Sequence, residues 1–273
     1  MSGYTIRAFE TIEEFKECVA LQEATWGTGF SERVPSAILR VGQLLGGVSS
    51  GAYDANGELV GFVFGLTGVR HGELAHWSDM LAVRPTIRDA GLGRALKEYQ
   101  REQMLESGVK VMYWTFDPLQ SRNAHLNVTR LGAVVREYNE NMYGDSDSPL
   151  HRGIGTDRFV ALWQLDSTRV AERLAGAPVP WADGADAPFA LRAVENSDGT
   201  LEPEVLGSLP IADQVRVPIP SDVGRLMDGR PDTAREWRTA TRRIFQHYLG
   251  AGYEVREFQR GETSSEYLLA RIA

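Results

Sequence analysis

The feature that most constrains the fold is a segment in which an apolar strand runs through a glycine-containing loop into a helix. It extends from His76 to Leu96, and its loop reads Arg88-Asp89-Ala90-Gly91-Leu92-Gly93. Glycines at 91 and 93 remove side chains where the backbone must turn, so successive N–H groups converge while the following helix adds its positive end. Such a nest suits a diphosphate. A Gly-x-Gly pair also occurs at helix starts that bind no ligand, so the strand before it and the helix after it are needed to indicate an anion site.

Two familiar phosphate loops are excluded by this spacing. A nucleotide P-loop would need Gly-Lys-Ser/Thr, which the segment lacks. A dinucleotide-binding fingerprint would place its third glycine at Leu96. The segment therefore predicts an anion site of another type.

The hydrophobic periodicity around this loop predicts a mixed α/β fold. A helix over 90–107 lies between strands at 74–83 and 109–116, and a helix between two strands indicates a parallel crossover. A capping box at Thr11-Ile12-Glu13-Glu14 begins the first helix, and Asn56-Gly57 predicts a tight hairpin. Further elements are predicted as helices at 12–26, 35–46 and 121–131 and as strands at 4–9, 48–53, 58–66, 133–138 and 158–165.

The chain changes character after Asp166, where proline- and glycine-rich connecting segments follow. We therefore expect one domain over 1–166 and a C-terminal α/β subdomain over 167–273. The stretches 132–138 and 252–258 share glycine, valine, arginine, glutamate and a terminal aromatic at equal spacing. The C-terminal region is thus interpreted as a partial copy of the first domain's last half, whose strands need a sheet partner and should pack on that domain.

Composition bounds the class of protein. Of the 273 residues, 42% are hydrophobic and 24% charged, and no apolar run approaches the roughly 20 residues of a membrane span. The formal charge of -8 disfavours binding to nucleic acid or anionic lipid. Cys18 is the single cysteine and is expected to be a packing residue. We expect a cytoplasmic protein without a secretory signal, a membrane anchor or a metal site.

Together the strand, loop and helix resemble the GNAT (Gcn5-related N-acetyltransferase) superfamily, whose motif is Arg/Gln-x-x-Gly-x-Gly/Ala after a Leu-Ala-Val-like strand end. Arg88, Gly91 and Gly93 match this motif, with Leu81-Ala82-Val83 upstream. The chain also resembles the branch of that superfamily with an appended C-terminal region. That second resemblance rests on Thr115-Phe116-Asp117-Pro118, Ser121-Arg122-Asn123-Ala124, Gly155-Thr156-Asp157-Arg158 and Trp237-Arg238.

The resemblance implies a mixed central sheet with a splayed strand pair flanked by helices, and acetyl-CoA or another acyl-CoA as co-substrate. Pantetheine would pair with the strand edge, and the diphosphate would lie on backbone amides of 88–93. Asn123 would help to hold the cofactor. The residues implied in cofactor binding are Leu81, Ala82, Val83, Arg88, Asp89, Ala90, Gly91, Leu92, Gly93, Arg94 and Asn123.

Acyl transfer to an amine needs a base to take a proton from the attacking ammonium. Strand alternation places Trp77, Asp79 and Leu81 on one face, and His76 on the other, unless a bulge shifts the register. Asp79 is the first candidate, against the alternative of a carboxylate that bonds loop amides. His76 titrates near neutrality but sits on the face where a packing role is commoner.

The proton donor to the leaving thiolate is harder to predict. The resemblance implies a tyrosine four residues before Gly132, where this chain has Val128. Tyr138 is the first candidate for this proton donor, and Tyr143 and His125 are further substitutes, all three by proximity in sequence. Solvent is the alternative proton source.

The sequence therefore favours an acyl-CoA-dependent N-acyltransferase that acts on a small amine or amino acid, with the segment from Trp26 to Val34 and the C-terminal region shaping the acceptor pocket. The alternative is a noncatalytic acyl-CoA-binding sensor or scaffold. A homodimer is left open.

Overall fold

The computed structural model describes residues 3–87, 91–144, 153–178, 181 and 184–272. Helices and strands alternate along the chain in a mixed α/β fold, as the periodicity predicts. The strands are β1 Thr5–Ala8, β2 Val48–Tyr53, β3 Leu59–Arg70, β4 Glu73–Val83, β5 Val111–Phe116, β6 Val134–Asn139, β7 Arg158–Gln164, β8 Leu191–Glu195, β9 Leu201–Val205, β10 Gln214–Pro220, β11 Tyr253–Gln259 and β12 Ser264–Arg271. The helices are α1 Ile12–Trp26, α2 Ser36–Leu44, α3 Leu92–Glu106, α4 Ser121–Ala124, α5 Thr168–Leu174, α6 Val223–Gly229 and α7 Pro231–Gly250; a π-helical turn, His125–Arg130, continues α4.

Two compact units make up the chain, one of residues 1–114 with 164–166 and the other of residues 115–163 with 167–273. The division falls after Trp114, whereas the sequence predicts a boundary after Asp166. The physical reason lies within the second unit, where β6 hydrogen-bonds to β11 and so joins the last predicted strands of the first domain to the C-terminal region.

The first unit is built on strands in the order β1, β2, β3, β4 and β5. The capping box and the hairpin are both confirmed, since Thr11 and Glu14 exchange hydrogen bonds and Gly57 closes the β2–β3 turn with a φ of 80°. Helices α1 and α2 cover one face of this sheet. The core there comprises Phe9, Phe15, Cys18, Leu21, Val34, Leu39, Tyr53, Leu59, Phe62, Phe64, Met80 and Ala82.

Strands β4 and β5 run parallel, which confirms the predicted crossover through α3. Their pairing covers only three residue pairs, from Ala75 and Val111 to Trp77 and Tyr113. Beyond Trp77, β4 continues for six residues to Val83 without a β5 partner. The two strands therefore part at this point, as the predicted splayed pair requires.

The second unit carries an antiparallel sheet in the order β7, β6, β11, β12 and β10, and the small hairpin β8–β9. The two stretches of the predicted internal repeat lie side by side in this sheet. Val135 of β6 pairs with Val255 of β11, and these are equivalent residues of the two copies. Both copies carry a register shift at the same place, between Val135 and Glu137 and between Val255 and Glu257. A local two-fold arrangement follows.

Among the described residues, no helix is long and apolar enough to cross a membrane. The elements that the sequence reading missed are the hairpin β8–β9 and the short helices α5 and α6. All four lie in the second unit, and each is only five to seven residues long. Cys18 is fully buried beside Gln22, and burial raises the pKa of its thiol, as expected for a packing residue.

Candidate functional site

The N-terminus of α3 forms the first part of the candidate site. Gly91 is the N-cap in the left-handed region, with a φ of 78°, and no side chain caps the helix. The first turn, Leu92-Gly93-Arg94-Ala95, contains no acidic residue. Its leading N–H groups and the positive helix end are therefore available to an anion. Arg88, Asp89 and Ala90, which the sequence assigns to the same loop, lie outside the described residues.

Close packing joins this helix start to β4. A Cβ on Gly93 would meet Leu81 Cδ2 at 3.7 Å, and Leu92 is buried. Arg94 pairs with Glu98 one turn later, at 2.5 Å. Ala82 is buried and Val83 half-buried at the end of β4. Leu81 to Val83 thus lie on the part of β4 that has parted from β5, directly before the chain leads towards α3.

A β-bulge at Asp79 interrupts the pairing of β4 with β3. Phe64 pairs with Met80 and Gly65 with Ser78, which leaves Asp79 without a partner in β3. The bulge also switches the faces of the strand. His76 and Ser78 face α3 before it and Leu81 faces α3 after it, whereas Met80 belongs to the core under α1 and α2. The predicted shared face of Trp77, Asp79 and Leu81 is therefore wrong for Leu81.

Asp79 lies in an unusual electrostatic setting. Its side chain is exposed, yet the surrounding protein desolvates the carboxylate and raises its pKa. A hydrogen bond from the Trp77 side chain acts in the opposite direction, and the nearby charge of Glu32 raises the pKa further. An accessible carboxylate with a raised pKa can accept a proton nearer to neutrality than an ordinary aspartate.

His76 is fully buried in a chain of hydrogen bonds. Its Nδ1 lies 2.9 Å from Thr67 Oγ1, and its Nε2 lies 2.9 Å from Gln100 Nε2. Because the Thr67 hydroxyl donates to the Gly46 carbonyl at 2.8 Å, the consistent tautomer carries its proton on Nδ1 and accepts from Gln100 on Nε2. Burial, and then the charge of Lys97, lower the pKa of His76 to about 3. Such a neutral, fully bonded imidazole is a poor base.

Lys97 extends this chain from the other end. Its Nζ donates to Ser78 Oγ at 2.6 Å, and Ser78 donates to Gln100 Oε1 at 2.8 Å. The ammonium also lies 4.0 Å from the ring centroid of Trp114. Burial lowers the pKa of Lys97 to about 7. The sequence reading missed Lys97 and Gln100, although both fall on the buried stripe of α3 that contains Leu92, Leu96 and Met104.

The residues considered as proton donors, and Asn123, all belong to the second unit. The Tyr138 hydroxyl donates to Asp157 Oδ2, and burial followed by this bond raises its pKa far above the usual range. Tyr143 shares a 2.9 Å hydrogen bond with Thr115. His125 is half-buried, and burial lowers its pKa. Asn123 is exposed on α4. A tyrosine so held by Asp157 is poorly suited to release its proton.

Three of the four motifs that accompany the appended region contribute a residue to ion pairs in the second unit. Arg238 donates through Nη2 to both carboxylate oxygens of Asp117, at 2.8 and 2.6 Å, and through Nε to the Ile154 carbonyl at 3.0 Å. Arg242 donates to both oxygens of Asp157, at 2.7 and 2.8 Å. These charges are therefore satisfied within the second unit. Within the described ranges, no group of three or more His, Cys, Asp or Glu residues is arranged to hold a metal ion.

Comparison with solved structures finds likenesses over about three fifths of the chain. The ribosomal-protein-S18-alanine N-acetyltransferase of Escherichia coli is 18% identical with a TM-score of 0.47, over 60% of this chain and 95% of that one. A GNAT acetyltransferase of Streptococcus pneumoniae is 20% identical with a TM-score of 0.47, over 58% and 98%. The yncA structure of Salmonella typhimurium, which contains acetyl-CoA, is 21% identical with a TM-score of 0.47, over 61% and 96%.

No curated protein matches the sequence. Residues 18–132 match the Acetyltransferase (GNAT) family, a span that contains the second half of α1, the splayed strands, the bulge at Asp79 and the α3 N-terminus. Residues 18–132 are therefore a GNAT acetyltransferase domain, carried within a longer α/β chain.

Proposed function

We propose that the protein is an acyl-CoA-dependent N-acyltransferase with Asp79 as its general base. The observation that carries this proposal is the bulge, which sets an exposed carboxylate of raised pKa where β4 and β5 part. A binding module has no need of a desolvated carboxylate at that point, whereas proton abstraction from an ammonium group does.

Acyl-CoA is the co-substrate, with acetyl-CoA as the default donor. Its diphosphate lies on the N–H groups at the start of α3, where, among the described residues, the first turn has no acidic side chain and no side chain caps the helix. Its pantetheine arm contains two amides, which pair with the edge of β4 between Trp77 and Val83 that β5 leaves open. Leu81, Ala82 and Val83 supply that edge. Arg88, Asp89, Ala90 and Arg94 complete the diphosphate loop, and Asn123 is proposed as a further contact.

The acceptor is a small amine or amino acid that arrives as its ammonium form. Asp79 takes a proton from it, the amine nitrogen attacks the thioester carbon and the C–N bond forms. The nitrogen then loses its second proton to solvent and the C–S bond breaks, with coenzyme A leaving as its thiolate. Asp79 and Glu32 provide negative potential for the ammonium group, and Trp77 flanks it with an aromatic surface. His76 has a structural role in this proposal, because both ring nitrogens are occupied.

The experiment that tests the activity is the release of free thiol from acetyl-, propionyl- and succinyl-CoA across a panel of small amines and amino acids. We expect one donor and one class of amine to give multiple turnovers, with the acylated amine identified by mass. Binding of acyl-CoA without thiol release for any amine would instead favour the second candidate, a noncatalytic acyl-CoA sensor or scaffold. The absence of the expected tyrosine at Val128 is the observation that favours that candidate.

The diphosphate site is tested separately by Gly91→Glu. A carboxylate there would repel the diphosphate, so the increase in melting temperature that CoA gives the wild type should disappear. Gly57→Glu is the matched control, since Gly57 also has a φ near 80°, also has open space around its Cβ position and lies in the β2–β3 turn. An unchanged CoA shift in Gly91→Glu, or an equal loss in Gly57→Glu, would contradict the assignment of the loop.

A further inference from the structure

The position of Lys97 is defined by the two strands that part. Ser78, which accepts a hydrogen bond from its ammonium group, is the first residue of β4 beyond the last β4–β5 pair. Trp114, whose ring lies under the same ammonium group, is the first residue of β5 beyond that pair. The Lys97 ammonium group therefore lies where β4 and β5 begin to part, at the apex of the opening between these two strands.

The groups that face this cation carry no negative charge. From β4 it meets His76, which is neutral, and Ser78; from β5 it meets Trp114; from its own helix it meets Gln100, which accepts from Ser78. Along α3, Arg94 and Glu98 pair with each other, and Arg101, one turn after Lys97, donates through Nε to the Leu165 carbonyl at 2.7 Å. Among the residues that the structure describes, no carboxylate forms an ion pair with Lys97. A buried ammonium without an anion is unfavourable, and an anion that enters the opening would relieve that cost.

The opening has the length that a pantetheine arm needs. Val83, next to the loop that leads to α3, lies six residues along β4 from Trp77 at the apex, a span of about 20 Å. An arm anchored by its diphosphate at the α3 N-terminus and extended along this edge brings its sulfur towards the apex. This step rests on the CoA site proposed above.

We propose that Lys97 stabilises the thiolate of coenzyme A and supplies the proton that converts it to the thiol. When the C–S bond breaks, its electron pair stays on sulfur, and one N–H proton of the Lys97 ammonium passes to that sulfur, which leaves a neutral amine. Solvent then reprotonates the amine before the next turnover. Lys97 thereby occupies the chemical role for which the sequence offers no tyrosine at position 128.

The test uses coenzyme A itself and needs no acceptor. The ultraviolet absorbance of the thiolate is followed against pH for CoA bound to the full-length protein, with desulfo-CoA as the blank. We expect the thiol pKa of bound CoA to fall at least about one unit below that of free CoA, which is a tenfold larger thiolate-to-thiol ratio at equal pH. Lys97→Met should return the pKa to the free value or above it, and Lys97→Arg, which keeps the charge, should retain the lowered value.

Lys16→Met, a substitution of an exposed lysine on α1, is the control and should leave the titration unchanged. A wild-type thiol pKa equal to that of free CoA overturns the proposal, and so does a lowered value that persists in Lys97→Met. If Lys97→Met does not fold, the wild-type titration decides alone. The outcome does not depend on acyl transfer, because the thiol pKa of bound CoA can be measured even if the protein catalyses no reaction. Failure of CoA to bind contradicts the cofactor site instead.

Discussion

A buried cation has a carboxylate partner in the second unit of the molecule and only neutral partners in the first. In the second unit, Arg238 is buried against Asp117 with two hydrogen bonds to that carboxylate and one to a carbonyl. In the first unit, Lys97 is buried as deeply but donates to a neutral hydroxyl and lies on an aromatic ring. A guanidinium forms such bidentate pairs and keeps its charge, whereas an ammonium without a carboxylate loses proton affinity on burial.

The difference separates charges that stabilise the fold from charges that are available for proton transfer. Charges that hold the second unit together are matched by partners within it. Near the opening between β4 and β5, Asp79 and Lys97 form no ion pair with any residue that the structure describes, and their pKa values move in the directions useful for proton transfer, upward for Asp79 and downward for Lys97. We expect this contrast to appear in the stability of the protein and in its turnover.

The largest expected effect is on stability, from Arg238→Met. Removing the guanidinium takes the cation away from the buried Asp117 carboxylate, and we expect the free energy of unfolding to fall by about 3–5 kcal/mol. Denaturant unfolding measures this, and Arg238→Met combined with Asp117→Asn should lose less than the sum of the two single substitutions. A loss below about 1 kcal/mol in Arg238→Met would remove the basis for calling the pair a part of the scaffold.

The second effect is on turnover, from Asp79→Asn. The amide keeps the shape of the carboxylate but cannot accept the proton, so kcat should fall roughly 10²-fold or more while CoA affinity stays within a few-fold. The loss should shrink as pH rises, because the amine then arrives deprotonated. Glu73→Gln, an exposed position on the same strand, is the control. Full activity of Asp79→Asn at neutral pH, together with inactive but folded His76→Ala, would transfer the role of base to His76.

The third effect is a gain of stability, from Lys97→Met. Folding lowers the pKa of Lys97 from 10.5 to about 7, so between these values the unfolded chain binds a proton that the folded chain has lost. The free energy of unfolding of the wild type should therefore rise with pH over that interval relative to Lys97→Met. At pH 7 the variant should be more stable by ~1 kcal/mol or more. A less stable variant with no difference in pH dependence would show that Lys97 is an ordinary structural residue.

The smallest effect is expected for Arg235→Met, one turn before Arg238 on α7. Arg235 pairs with Asp232, but its side chain is 49% exposed, and such surface pairs contribute little. Its free energy of unfolding should stay within about 0.5 kcal/mol of the wild type. A loss similar to that of Arg238→Met would mean that the arginines of α7 act through the helix as a whole and not through burial.

Local signals in the sequence predicted much of the first unit. The capping box at Thr11, the Asn56-Gly57 turn and the Gly91 helix start each depend on a few neighbouring residues, and the structure has all three. The splayed strands came from the resemblance and appear as the short β4–β5 pairing. The bulge at Asp79 was not predictable, because it depends on how β3 pairs across the hairpin.

Features that depend on distant residues were not predictable in detail. Lys97 and Gln100 occupy a stripe that periodicity assigns to packing, and only their contacts with Ser78 and His76 reveal a polar chain. The extent of the second unit depends on β6 meeting β11, which no local pattern encodes. The repeat was visible as shared residues, but the pairing of its equivalent valines required the structure.

That pairing has a consequence for how the chain acquires its structure. Val135 and Val255 are 120 positions apart, so β6 has no partner on that side until the ribosome has made almost the whole chain. Contacts of such separation slow folding, and an unpaired strand edge is a template for unwanted association in the meantime. The nascent protein thus exposes this edge of Val134–Asn139 from the time β6 is made until β11 follows, and truncation before β11 is expected to yield aggregates instead of a smaller folded protein.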